Sequence, residues 1–350
     1  MDVEFHYYMT YLIAKKAGIP NQDALLIAKS CQYVDDNYYE FKVKDKNGEI
    51  YENYISQTMN ITKPKQTLAR IYPAFHFLPG DIDCSMCQRK DYAANWFNTT
   101  PHSKNSIEMV NEALKTGNLY RIGISLHTYA DTWAHQNFCG IFNDYNAMPG
   151  IVENLIPNIG HADAKHAPDI PALVWRDKRL LNERVDNRSR FMEAAKYMLE
   201  FLVRLDGSVS EQTLCNMKDE LCNDLLSAIG SSDDPENNCS KERIEKYLNL
   251  SSQPEYGGDF ISEYNDEEWE REATTIEYSR STEEALGSLG WDDWRDPQEW
   301  KVEDYKETNW YKFQEAIKEH QRFVLALLAD NTKQGFTLWQ EGNASVGRWW

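Results

Sequence analysis

Between His127 and His135 the chain reads HTYADTWAH. Wound as a helix, this segment stacks His127, Asp131 and His135 at i, i+4 and i+8 along one ridge, one turn apart. Leu119, Ile122, Ile124, Leu126 and Tyr129 supply the apolar positions such a helix needs. Imidazoles and a carboxylate on a common ridge can clamp a hard or borderline divalent ion. The chain has only eight histidines, and most of the others stand near acidic residues in short, distinctive segments. A metal-centred site is therefore the first expectation.

Composition narrows the rest. With 350 residues, 41% of them hydrophobic, the chain suits one large domain or two modest ones. Its formal charge of -19 repels nucleic-acid backbones and anionic membranes unless a metal or a local basic patch intervenes. The 11 Trp, 20 Tyr and 13 Phe supply ample core and argue against disorder. The opening MDVEFHYYMTYLIAKKAG lacks the basic start and unbroken apolar run of a secretory signal. No stretch has the length and hydrophobicity of a membrane span. Seven unevenly spread cysteines do not describe a disulfide scaffold. These features predict a cytoplasmic protein, or one exported by a route without an N-terminal signal peptide.

The coarse pattern is helical. Helical periodicity covers about Phe5 to Lys16, stopped by Gly18-Ile19-Pro20, and Asp23 to about Val34, which delivers Asp35 and Asp36 at its end. On the second helix Leu25, Ile27, Ala28 and Cys31 are packing residues. Residues 40 to 58 surround Asn47-Gly48 and predict a small hairpin containing Phe41 and Val43. Further helices fit 104 to 116, from 119 onward, 190 to 205, 210 to 229 and 309 to 328, with Ser208 and Glu211 at capping-box spacing. Residues 145 to 172 read as a long shaped loop, and Ser231 to Asn238 as a turn or exposed loop. The acidic stretch 259 to 307, with Trp269, Trp291, Trp294 and Trp300, reads as irregular covering structure. The expected class is all-α, with a small β-hairpin insertion and irregular acidic C-terminal segments. A single metal-binding helical domain is expected over 1–350, residues 1–175 carrying the site motifs and 176–350 completing and covering the core.

The candidate ligands are His6, Asp35, His76, His127, Asp131, His135 and His161, with Asp163, His166 and Asp169 near His161 as further candidates. Neutral imidazole suits zinc, and carboxylates can bridge ions that otherwise repel each other. So many donors exceed the need of one tetrahedral ion; two or three are more natural. Each residue also has a plainer reading. His127 and Asp131 can be a satisfied helix pair, His6 and His76 core histidines among aromatics, and Asp35 a helix terminator. His102 and His320 read as surface or capping residues. Cys84 and Cys87 form one CxxC without a second pair to complete a zinc site, so ordinary thiols are favoured.

The order of these residues resembles the zinc-dependent phospholipase C and P1/S1 nuclease superfamily, and an uncharacterised bacterial branch with the same HTYAD-type core. His6 in FHYYMTYLIAKKAG matches the early histidine, and Asp35 in AKSCQYVDD the aspartate ending an Ala-containing helix. His76 in AFHFLPG matches the aromatic-flanked histidine, His127 and Asp131 the central His-x3-Asp, and His135 and His161 the later histidines. The resemblance covers roughly residues 1 to 175. It implies a mainly helical fold, a trinuclear zinc centre and phosphoester hydrolysis. There are departures. That superfamily uses an N-terminal tryptophan whose amine and carbonyl help bind metal, whereas this chain reads Met1-Asp2-Val3-Glu4, which removes that chelate and leaves Glu4 or Asp2 as substitutes. The interval from His127 to His135 is shorter, and Lys165 stands where a carboxylate is expected, with Asp163 or Asp169 as replacements.

The expected activity is metal-dependent hydrolysis of a phosphoester, with Zn²⁺ the favoured ion at two or three per chain and Asp35 assisting as general base. A small phosphodiester or lipid headgroup suits the acidic exterior better than nucleic acid. The alternative is a noncatalytic, metal-stabilised helical module that recognises a protein partner.

Overall fold

The computed structural model describes residues 1–40, 42–58, 65–148, 159–207, 209–230, 240–275 and 298–331. It is mostly helical with small sheets. A π-helical turn, Glu4–Met9, runs into α1 (Thr10–Lys16). It is followed by α2 (Asn21–Asp36), the hairpin β1 (Lys42–Lys44) and β2 (Ile50–Glu52), and α3 (Lys65–Ile71). A second π-helical turn, Tyr72–His76, extends α3, and α4 (Ile82–Met86) is short. Next come α5 (Lys104–Thr116) and α6 (Leu119–Ala134), then a second hairpin, β3 (Val174–Arg176) and β4 (Arg184–Asp186). The chain continues through α7 (Asn187–Asp206), α8 (Glu211–Ile229), α9 (Ser240–Ser251), α10 (Glu268–Ala273), β5 (Gln298–Glu299) and α11 (Asn309–Asn331).

α6 is the axis of the fold. A helix that is buried on nearly every side needs neighbours all round, and α6 packs against α2, α5, α7 and α11. Local chemistry sets its ends. Gly117, at φ 64°, closes α5 in a left-handed conformation. The Asn118 side chain then accepts from the Tyr120 and Arg121 N–H groups at the start of α6. Such a cap stabilises by roughly 1 kcal/mol. Gly123 sets the approach of α2: a Cβ there would lie 2.4 Å from the Ile27 carbonyl oxygen and 3.1 Å from the Cys31 nitrogen. The two helices therefore run close enough to bring Asp35, at the end of α2, beside His127.

Buried polar groups tie the outer helices to this axis. Arg121 on α6 donates to His320 Nδ1 on α11 at 2.5 Å, and His320 Nε2 donates to the Ala74 carbonyl at 3.1 Å. His320 is fully buried, contrary to the surface position its charged neighbours predict, because α11 turns that face onto α6. His102 is also structural: it stacks on Tyr197 with ring centroids 3.8 Å apart, and its Nδ1 receives the Tyr129 hydroxyl at 2.7 Å. On α9, Arg243 forms a bidentate pair with Glu4 at 2.7 and 2.6 Å, and the Tyr247 hydroxyl donates to the same carboxylate at 3.1 Å.

The helices expected from periodicity are present, with ends moved by a few residues. The hairpin at Asn47-Gly48 is present too, but β5 joins it in parallel to β1. The β3–β4 hairpin, α3, α4, α9 and α10 are additions. Ser210 caps α8 through the Thr213 N–H. Trp269 is buried on α10, and Trp300 stacks on Tyr305 with centroids 4.3 Å apart. Phe41, Ser208, Trp291, Trp294, the Ser231 to Asn238 loop and residues 149–158 and 332–350 lie outside the described residues. One hydrophobic cluster runs from Met1 to Leu328. Among the described residues no helix is long and apolar enough to cross a membrane.

Candidate metal centre

Three local features aim the donors inward. α6 carries His127 and Asp131 one turn apart, and His135 is its C-cap residue, at φ −91° and ψ 22°. His6 and His76 each sit in a π-helical turn. A π turn inserts an extra residue per hydrogen-bonded ring and re-aims the side chains around it, which is why such turns gather at functional sites.

Asp131, 1% exposed, is the hub. Its Oδ1 receives the Met1 α-amine and lies 3.2 Å from His6 Nε2. Its Oδ2 lies 3.2 Å from His76 Nδ1, 3.3 Å from His127 Nε2 and 3.7 Å from His135 Nδ1. Asp35 Oδ1 stands 3.7 Å from both His76 Nδ1 and His127 Nε2. Beside this group, Asp169 places Oδ1 at 3.0 Å from His135 Nε2 and Oδ2 at 3.5 Å from His161 Nε2. Asp169 Oδ1 is also 3.5 Å from the Met1 amine, which links the two groups.

The tautomers follow from the backbone. A carbonyl only accepts, so the ring nitrogen facing it carries the proton. His76 Nε2 faces the Ser56 carbonyl at 3.0 Å, His135 Nδ1 the His76 carbonyl at 2.8 Å, and His161 Nδ1 the Lys165 carbonyl at 2.7 Å. In the neutral rings, the other nitrogen of each then points a lone pair at a carboxylate oxygen. Acceptor faces acceptor, and a cation must lie between them.

Protons do not meet this demand throughout. Burial, the neighbouring His127 and the Met1 amine push His6 down to about 3. Burial also pushes His161 below the usual histidine value, against the pull of Asp169. His76 is raised, where Asp131 and Asp35 outweigh burial. Asp131 stays ionised: burial opposes this, but His135, the Met1 ammonium and His127 hold it well below the carboxylate range. Despite burial, Asp131, Asp169 and Asp35 together push the Met1 amine up to about 11.

The donor spacing fits a metal. His76 Nδ1, His127 Nε2 and Asp131 Oδ2 form a triangle with sides of 3.2, 3.2 and 3.3 Å. A point equidistant from its corners is about 1.9 Å from each, close to the ~2.0–2.2 Å at which zinc takes nitrogen and oxygen donors. Three groups could hold a metal ion: Asp35 with His76 and His127, His135 with His161 and Asp169, and His6 with Cys31 and His127.

His6, Asp35, His76, His127, Asp131, His135 and His161 are thus brought together. Asp163 and His166 are not. Asp163 Oδ2 accepts from the Met148 N–H at 2.9 Å, and His166 is exposed. The chain turns at Lys165, φ 53°, after the short helical turn Ala162–Ala164, and it is Asp169 that comes back beside His161. Lys165 serves the centre through its carbonyl instead of a carboxylate. Glu4 and Asp2, expected as substitutes, do not supply ligands either. Glu4 is committed to Arg243, Asp2 accepts from the Glu4 N–H at 3.1 Å, and the Met1 amine itself occupies the centre. Cys31, read from its helix as a packing residue, stands beside His6 with Sγ 3.5 Å from Nδ1. Its place four residues before Asp35 on one helix face was the available signal. Cys84 and Cys87 are exposed, and among the described residues no third ligand joins them.

This chain belongs to a family of unknown function, DUF6765, whose model matches residues 1–328. Neither the curated proteins nor the solved structures gave a match.

Proposed function

We propose that this protein is a divalent-metal-dependent phosphoester hydrolase, built on the plan of the phospholipase C and P1/S1 nuclease superfamily and using two or three zinc ions. The observation that carries the reading is the convergence of ring nitrogens of His76 and His127 on Asp131, and of His135 and His161 on Asp169. Asp35, His76, His127 and Asp131 would hold one ion and His135, His161 and Asp169 a second, and His6 would contribute to a third. Ions so held would supply Lewis-acid polarisation of a phosphoryl oxygen and acidify water.

The protein side chains have distinct tasks. Asp131, at 1% exposure, is shut away from substrate and fixes the imidazoles from both of its oxygens. Asp35 is the most open of the carboxylates, its side chain 25% exposed, and Gln57 Nε2 donates to its Oδ1 at 3.5 Å. That exposure suits Asp35 for receiving a proton from water that attacks phosphorus. His161 and Asp169, 19% and 15% exposed, are the other groups that incoming ligand can reach. Without added cations, three carboxylates against one ammonium leave the centre negative and hostile to a phosphoester. Two or three divalent ions reverse that field. The net charge of -19 over the whole chain favours a small phosphodiester or lipid headgroup over nucleic acid.

The test uses the whole protein, loaded with zinc and counted by mass spectrometry. It is offered bis-p-nitrophenyl phosphate, phosphatidylcholine in mixed micelles and single-stranded nucleic acid. Hydrolysis of at least one substrate is expected, abolished by chelation and restored by zinc. Asp35→Asn should lower it by roughly 10²–10⁴-fold. Two or three bound ions with no turnover of any substrate would end the hydrolase reading.

A further inference from the structure

We infer that Cys31 is a positioning residue for the metal centre: its thiol relays a hydrogen-bond chain that fixes His6 as the Nδ1–H tautomer and so keeps the Nε2 lone pair free for metal. The inference rests on the metal-centre reading, and it gives Cys31, which with His6 and His127 could also hold an ion, the task of orienting the His6 ring instead.

The direction of the chain is set from its far end. The Phe5 carbonyl can only accept, so the Thr10 hydroxyl donates to it, at 3.0 Å. With its proton spent there, Thr10 Oγ1 presents a lone pair to Cys31 Sγ at 3.7 Å, and the thiol proton points to Thr10. Sulfur is then left as the acceptor for His6 Nδ1 at 3.5 Å. The proton on His6 therefore sits on Nδ1, and Nε2 meets Asp131 Oδ1 at 3.2 Å with a lone pair. His76, His135 and His161 achieve the same end with a backbone carbonyl. His6 does it with sulfur because its π-helical turn faces the buried side of α2, where Cys31 is the polar group in reach. Hydrogen bonds to the remote nitrogen of a ligating histidine fix its tautomer and ring orientation, and losing one costs about 10–100-fold in metal affinity.

Cys31, Thr10 and His6 are each fully buried. The His6 ring is held flat against His127, centroids 3.9 Å apart and planes 25° apart, so it cannot swing to another acceptor without breaking that stack. Cys31 Sγ and one ring nitrogen each of His6 and His127 lie within 4.8 Å of one another, which places the thiol against the donor cluster.

The experiment reads the tautomer directly. Metal-free protein labelled with ¹⁵N-histidine is examined by long-range ¹H–¹⁵N correlation, with His6 identified by the signal lost in His6→Gln. The wild type should give Nδ1–H at His6. Cys31→Ala should release that preference toward Nε2–H, which Asp131 accepts, and weaken zinc binding about 10–100-fold. Cys31→Ser, whose hydroxyl can relay the same chain, should restore the tautomer and most of the affinity. A wild-type His6 found as Nε2–H or doubly protonated overturns the inference without recourse to a Cys31 variant. So does a Cys31→Ala protein that keeps both Nδ1–H and wild-type zinc affinity. A wild type with the Nδ1–H tautomer but no zinc binding would support the hydrogen-bond assignment while removing the metal-centre reading beneath it.

Discussion

Gly123→Ala links the packing of two helices to the metal centre. The added Cβ would stand 2.4 Å from the Ile27 carbonyl oxygen, 2.6 Å from Ser30 Cβ and 3.1 Å from the Cys31 nitrogen. Two of these are backbone atoms, so no rotamer change relieves them. Carbon–oxygen contacts settle at about 3.3–3.6 Å, so α2 and α6 must part by roughly 1 Å. Overpacking of this kind costs about 1–3 kcal/mol, occasionally more. The better helix propensity of alanine offsets about 1 kcal/mol of that. Because two of the three contacts are backbone atoms, the upper end of the overpacking range applies, and a net loss of roughly 1–2 kcal/mol lowers Tm by about 1.5–3 °C in a chain of this size. The parting also moves Asp35 away from His127, now 3.7 Å apart. A 1 Å misplacement costs on the order of 100-fold in rate, and zinc affinity should fall along with it. Thermal melts in the presence of chelator read the packing term, and zinc titration against a chromophoric chelator reads the site. An unchanged Tm would refute the close approach of the helices. A lowered Tm with wild-type zinc affinity would refute the coupling between packing and site.

Asp169→Asn should remove close to one equivalent of bound zinc, whereas Asp163→Asn should leave the metal count unchanged; mass-spectrometric metal counting separates them. Arg243→Leu strands the buried Glu4 carboxylate and should destabilise by about 3–5 kcal/mol, with the double change Glu4→Leu/Arg243→Leu recovering part of it in urea melts. His102 gives a pH signature. Burial, only partly offset by Glu200, lowers its pKa below the ordinary 6.5. Below that ordinary value the unfolded chain binds a proton that the folded chain refuses, so stability falls as pH drops from 6.5 toward the depressed folded value. Urea melts should show this slope flattened in His102→Gln, and an identical slope would show that the Tyr129–His102 bond does not control it.

The helical frame was legible because its periodicity is unambiguous: Lys104–Thr116 carries Ile107, Val110, Ala113 and Leu114 on one side and stops at Gly117. The His127–Asp131–His135 ridge was legible for the same reason. The long-range partners were harder. Asp163 and Asp169 look equivalent in the sequence, and only the path of the chain through Lys165 sets them apart. The Met1 amine offers no side chain to read, yet it reaches Asp131 across 130 residues. His320 and Arg121 are polar residues among helical charges, and nothing local reveals that they face each other. α9 and the β3–β4 hairpin are short or polar elements whose order comes from what they pack on, such as the Glu4 carboxylate for Arg243.

The Glu4–Arg243 pair also sets an order of events during synthesis. The two residues are 239 positions apart, and both are buried in the finished protein. At the usual ~5–20 residues per second, roughly 10–50 s pass between translation of the first and of the second. Through that interval the segment holding His6 lacks the counter-charge that lets it settle inside. The ribosome thus delivers His127 and Asp131 well before the amino terminus can be locked down, and a nascent chain stopped short of α9 should capture its ions incompletely.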